Sequence, residues 1–165
     1  MKQLIILLLL LCSGLVWAHP HVWIESRLNV HGSTVDIVWE FDEMFSNILF
    51  SDFDIDRDRQ FTGMEVKKLK ADMFDNLVNF DYFMRGYCGN DMLEIGSAEN
   101  FSISSTKKKV TYKFSLNIPI KNCKGVVQLY NYDETYYSDI SVVQVSGNGT
   151  VLQDDVGGRK FVEIK

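Results

Sequence analysis

Residues Asp54 to Glu65 read DIDRDRQFTGME, a spacing suited to holding a hard cation. Carboxylates stand at positions 1, 3 and 5 of this stretch (Asp54, Asp56, Asp58), a hydroxyl at position 9 (Thr62) and a glutamate at position 12 (Glu65). Gln60, at position 7, offers its backbone carbonyl, and the β-forming Phe61 follows it. Ca²⁺ takes about 6–8 oxygens. Alternating carboxylates on a tight turn, one carbonyl and a bidentate glutamate supply them.

The stretch resembles an EF-hand calcium loop, a local likeness covering these residues and their flanks. Such a loop needs a helix on each side to aim its ligands. Before it, Phe41, Met44, Phe45, Ile48 and Leu49 recur at helical steps; after it, Val66, Leu69, Met73, Leu77 and Phe80 do the same. The pattern predicts a helix–loop–helix over about residues 41–80. One residue departs from the likeness. Position 6 is Arg59, where the pattern wants glycine for a positive-φ turn. A non-glycine residue there costs on the order of 1 kcal/mol, which predicts a weaker or distorted loop. The competing reading is a solvated acidic turn that only joins two helices. No second loop of this kind follows in the sequence, so a structural ion fits better than a paired sensor. The resemblance implies an affinity of roughly 10⁻⁴–10⁻³ M, as in extracellular modules.

The first 18 residues read as a secretory signal. Lys2 supplies a positive start, Leu4 to Leu11 an apolar run, and Val16-Trp17-Ala18 a cleavage site. The run is short for a bilayer span. Cleavage before His19 is expected, leaving residues 19–165 as a single exported domain of periplasmic or secreted location. The chain of 165 residues carries a net charge of −5, more negative still without Lys2. That balance disfavours nucleic acid, which needs a basic surface. Lys107-Lys108-Lys109 reads as a solvated hairpin tip. In an exported chain, Cys88 and Cys123 read as a disulfide. Closing that loop adds roughly 3–4 kcal/mol by chain-entropy reasoning.

The expected new terminus is His19-Pro20-His21. An amino-terminal His offers an amine and an imidazole, and His21 adds a second imidazole, a donor set suited to Zn²⁺, Ni²⁺, Co²⁺ or Cu²⁺. The copper/nickel mode that deprotonates two intervening amides is excluded, because Pro20 has no N–H to lose. In an extended segment His19, His21, Trp23 and Glu25 project to one side, so Glu25 is an additional candidate ligand. The bland reading is two exposed histidines at a frayed end.

The remainder reads as strand. His21 to Val30 and Ser33 to Phe41 pair around His31-Gly32, with Trp23 and Trp39 as core bulk. From Asp81 onward the segments YFMRGYC, MLEIGS, NFSISS, VTYKFSLNIPI, GVVQLYNY, YYSDISVVQV and FVEI follow, with Tyr112, Phe114, Leu116 and Ile118 on one face. Strands on both sides of one helical pair predict an α+β fold, an antiparallel sheet or sandwich carrying the inserted helix–loop–helix.

The opening AHPHVWIE, the EFDEMFS that ends the strand pair, the acidic loop and the later YYSDIS together resemble a bacterial exported family, domain of unknown function 1007. The likeness covers most of the chain after residue 18. It implies a periplasmic transport component that accompanies membrane permeases of the nickel/cobalt type, and it points to His19, His21, Asp54, Asp56, Asp58 and Glu65. Three functions follow. The first is a metal-binding accessory protein for divalent transition-metal transport, with a structural calcium loop. The second is a calcium-stabilised interaction module with no transition-metal role, using Tyr130, Tyr132, Tyr136 and Tyr137. The third, an enzyme, is not expected: no nucleophile elbow, phosphate loop or H-E-x-x-H is present, and Asp133-Glu134 reads as an exposed turn.

Overall fold

The computed structural model describes residues 22–135, 137–153 and 160–164. The expected signal segment, His19, His21 and Tyr136 lie outside the described residues.

Alternation decides the strands. β1 (Val22–His31) turns Val22, Ile24, Ser26, Leu28 and Val30 inward, and β2 (Thr34–Phe41) turns Val35, Ile37, Trp39 and Phe41 inward. These strands form an antiparallel hairpin with Ile24 opposite Phe41 and His31 opposite Thr34. Of the two tryptophans expected in the core, only Trp39 is there. Trp23 is 45 % exposed, because it shares the outer face of β1 with Glu25.

Eight further strands complete the fold: β3 (Met84–Cys88), β4 (Asp91–Leu93), β5 (Glu99–Ser105), β6 (Val110–Asn117), β7 (Val127–Asn131), β8 (Ser138–Gly147), β9 (Gly149–Gln153) and β10 (Lys160–Ile164). They build two five-stranded sheets, ordered β5-β6-β2-β1-β8 and β4-β3-β7-β10-β9. All pairs are antiparallel except β1 with β8. The fold is α+β. Gly147 lets the chain leave one sheet for the other; its φ is +76°, and a Cβ there would stand 2.0 Å from the Val30 carbonyl oxygen.

The sheets meet across one apolar core. Tyr112, Phe114, Leu116 and Ile118 are all buried in it, as their alternation predicts. One polar knot crosses the core. Ser26 Oγ and Trp39 Nε1 on the first sheet donate to Asn131 Oδ1 on the second, at 2.7 and 3.1 Å, and Asn131 Nδ2 donates to the Phe83 carbonyl. The Cys88–Cys123 disulfide ties the end of β3 to the β6–β7 connection.

Between β2 and β3 lie α1 (Glu43–Phe53) and α2 (Gly63–Leu69). Asp42 caps α1, accepting from the Met44 and Phe45 N–H groups. The inward stripe of α1 is Leu49, Phe50 and Phe53, while Met44 and Ile48 stay about half exposed. The second helix is shorter than its periodicity predicts. After Leu69 the chain makes a π turn (Lys70–Phe74) and then a 3-10 stretch (Asp75–Phe83). The wider π turn moves the inward position from Met73 to Phe74. Phe74 then packs on Phe101, Tyr112 and Phe114, leaving Met73 and Phe80 partly exposed. Asp81, Tyr82 and Phe83 all take positive φ as the chain turns into β3.

Candidate metal centre

The acidic residues stand on the connection between α1 and α2. Asp54 is the residue at which α1 ends, and its backbone N–H still reaches back to the Phe50 carbonyl. From there the chain bends so that each short acidic side chain accepts from a backbone N–H two or more residues on. Asp56 Oδ1 accepts from Asp58 N at 3.2 Å, Asp58 Oδ1 from Gln60 N at 2.7 Å, and Asp54 Oδ2 from Arg59 N at 2.9 Å. These bonds turn the three carboxylates towards one point: one oxygen from each of Asp54, Asp56 and Asp58 lies within 4.8 Å of the others.

Glu65 closes the loop from the first turn of α2. Its Oε1 accepts from Ile55 N at 2.7 Å and its Oε2 from Thr62 N at 3.0 Å. The second bond belongs to a capping box with Thr62. Glu65 is buried, so its charge is held by backbone donors at both ends of the loop. Phe61 is buried and stacks on Phe50 of α1, centroids 5.4 Å apart and planes 2° from parallel.

The electrostatics are those of crowded anions. Asp54 is 7 % exposed, and its Oδ1 is buried with no hydrogen-bond partner. Such an acceptor is costly to leave unmade. The Asp56 carboxyl, though exposed, is held down by the Asp58 backbone N–H; partial desolvation, the charges of Asp58 and Glu65 and the neighbouring Asp54 carboxyl outweigh that and raise it above the usual 3.8. A divalent cation held here would offset these costs together. The donor set is oxygen only, which matches a hard cation such as Ca²⁺ rather than a thiophilic metal.

Arg59 adopts φ +62°, the conformation expected of glycine at its position, and Arg57 does likewise at +64°. The guanidinium of Arg59 leaves the loop, donating to Asn47 Oδ1 and to the Lys107 carbonyl. Sequence reasoning marked Arg59 only as a departure and passed over Asn47 and Ser105. No local signal connects them, since Ser105 lies 46 positions from Arg59.

The other candidates stand apart. Glu25 is exposed and ion-paired with Arg27 at 3.1 Å. His31 stands at the far end of β1 from Val22, about 30 Å along an extended strand, with Nδ1 3.6 Å from Asp36 Oδ2. Tyr130 packs against Tyr87, Tyr132 and Phe161 on the face of β7 away from buried Leu129. Asp133 is buried rather than exposed. It accepts from Thr135 N, Thr135 Oγ1 and Ser138 N and so shapes the turn before β8, while Glu134 pairs with Arg85. Lys107 to Lys109 form the β5–β6 hairpin tip, where Lys108 pairs with Glu43 and Lys109 with Glu40. Among the described residues no helix is long and apolar enough to cross a membrane.

Comparison with known proteins gives two relatives. An uncharacterised 15.5 kDa protein of the trpE 3′ region of Spirochaeta aurantia is 30 % identical over 115 residues, covering 69 % of this chain and 81 % of that protein. An uncharacterised protein of Haemophilus influenzae is 30 % identical over 146 residues, covering 83 % of this chain and 69 % of its own length. No solved structure matches. The family described as Protein of unknown function (DUF1007) matches residues 4–155, a span that includes the first sheet, the acidic loop and every strand of the second sheet but β10, and the chain belongs to that family.

Proposed function

We propose that the protein is an exported metal-binding accessory protein whose loop from Asp54 to Glu65 holds one Ca²⁺ in the EF-hand manner. The ion fixes α1 against α2 and so steadies the helical layer on the first sheet. The observation that carries this reading is the buried, unpartnered Oδ1 of Asp54 beside the carboxylates of Asp56 and Asp58. Gln60 contributes its carbonyl, Thr62 its hydroxyl and Glu65 its carboxylate. In the same proposal His19 and His21 capture Ni²⁺, Co²⁺, Zn²⁺ or Cu²⁺ in the periplasm for a permease of the nickel/cobalt type. Support for that half comes from the residue types and the family likeness. Hardness divides the labour, carboxylates taking calcium and imidazoles the borderline metals.

A second reading keeps the calcium and drops the transition metal. The aromatic row Tyr87–Tyr130–Phe161 on the second sheet favours it, as a contact face for a protein partner. Calorimetric titration of the protein beginning at His19 separates the two. Saturable Ca²⁺ binding with a distinct, His19-dependent site for Zn²⁺ or Ni²⁺ supports the accessory role. Calcium binding alone, with no transition-metal heat, supports the interaction module.

A further inference from the structure

We propose that Arg59 is the positioning residue of the loop, and that through it the β5–β6 hairpin becomes part of the metal site's scaffold. This rests on the calcium reading of the loop. Three sets of contacts converge on Arg59. Its backbone N–H donates to Asp54 Oδ2, which leaves Oδ1 of the same carboxylate turned to the unpartnered position. Its guanidinium donates to Asn47 Oδ1 at 3.1 Å and to the Lys107 carbonyl at 2.6 Å, and lies 4.8 Å from the ring centroid of Phe50. Its own carbonyl accepts from Ser105 Oγ at 2.8 Å. One residue thus joins the loop to the first helix and to the tip of a hairpin more than forty positions away.

The backbone and the side chain of Arg59 pull in opposite directions. Glycine at this position would relax the φ of +62°. It would also release the guanidinium, and with it the anchors that hold the turn while no cation is present. A loop already closed around its carboxylates loses less conformational entropy on binding, which is the physical route from such an anchor to affinity. The two effects predict opposite signs for a single substitution.

The experiment is calorimetric Ca²⁺ titration of the wild type, Arg59→Gly, Arg59→Lys, Ser105→Ala and Asp54→Asn, with metal-free thermal melts of each. The proposal expects Arg59→Gly to bind Ca²⁺ about tenfold more weakly, about 1.4 kcal/mol. It expects Arg59→Lys, which keeps one of the two outgoing hydrogen bonds, to fall between glycine and wild type. Ser105→Ala should weaken binding a few-fold from the hairpin side without touching the loop. Calcium binding by Arg59→Gly equal to or tighter than wild type overturns the proposal and leaves the calcium site standing. A wild type that does not titrate, or an Asp54→Asn variant that titrates like it, overturns the calcium reading and this proposal with it.

Discussion

Among the described residues, two buried side-chain oxygens lack a hydrogen-bond partner, and they sit in opposite surroundings. Asp54 stands beside the carboxylates of Asp56 and Asp58 on the loop between α1 and α2. The Tyr112 hydroxyl is buried on a ring that packs against Phe41, Phe74 and Phe101. Both are costly, since each has left water without gaining a partner. Only one surrounding offers a remedy. Oxygens around Asp54 can be shared by a cation, whereas the rings around Tyr112 offer nothing further to a neutral hydroxyl. The Ser26–Trp39–Asn131 knot supplies the contrast to both: it is equally buried, with partners for each group. An orphaned polar atom therefore signals a ligand only where its neighbours are donors to that same ligand.

The comparison breaks most readily at Asp54. Asp54→Asn should weaken Ca²⁺ binding about a hundredfold, roughly 2.8 kcal/mol. The stabilisation of about 2.7 kcal/mol that a ligand at a hundred times its Kd confers should fall to about 0.4 kcal/mol at the same calcium concentration. Metal-free stability should not fall, because one of the crowded charges has gone. A variant that melts lower without metal and still gains stability with calcium would place Asp54 among structural residues.

Glu65→Gln should behave differently. Glu65 already accepts from two backbone N–H groups, so an amide leaves one of them facing an NH₂. The expected loss is about 1.5–3 kcal/mol of metal-free stability, the range for hydrogen bonds to a charged group. Urea unfolding in the presence of a chelator reads it. An unchanged midpoint would mean that the loop is open without metal.

Tyr112→Phe is the counterpart on the apolar side. It removes an unpartnered hydroxyl and should leave stability unchanged or raise it by about 1 kcal/mol, with calcium affinity untouched. A drop in either would show that the hydroxyl has a partner in solution. The smallest effect is one of pH. Burial raises the Tyr112 hydroxyl well above the usual 10.0. Above that pH the unfolded chain releases a proton that the folded chain keeps, so the folded state loses stability as pH rises. Difference unfolding curves of wild type and Tyr112→Phe through that range should show this single-proton slope, and parallel curves would remove it.

Much of the molecule was legible before folding. Alternation gave most of the strands, though not β9 (Gly149–Gln153), because one face of each sheet must be buried and side chains alternate with a period of two. Spacing gave the acidic loop, because its carboxylates lie within twelve consecutive residues. An even cysteine pair gave the Cys88–Cys123 bond. What failed was the second helix. Its apolar period ran smoothly through Met73, and nothing local announced that a π turn would hand the core position to Phe74. Trp23 failed for a related reason, since bulk alone does not say which face of β1 looks inward. Asp133 looked like an exposed turn residue until its three donors were seen in space.

By itself the sequence determined the α+β fold class, most of the strands and the acidic residues of the candidate site. These are local or periodic properties, carried by neighbours along the chain. Tertiary structure alone decided which sheet each strand joined, that β8 lies parallel beside β1, and that Arg59 reaches across to Ser105 and Lys107. It also decided that one oxygen of Asp54 is buried without a partner. Contacts between residues forty or more positions apart depend on how the sheets and helices close over one another. No local pattern records that closure.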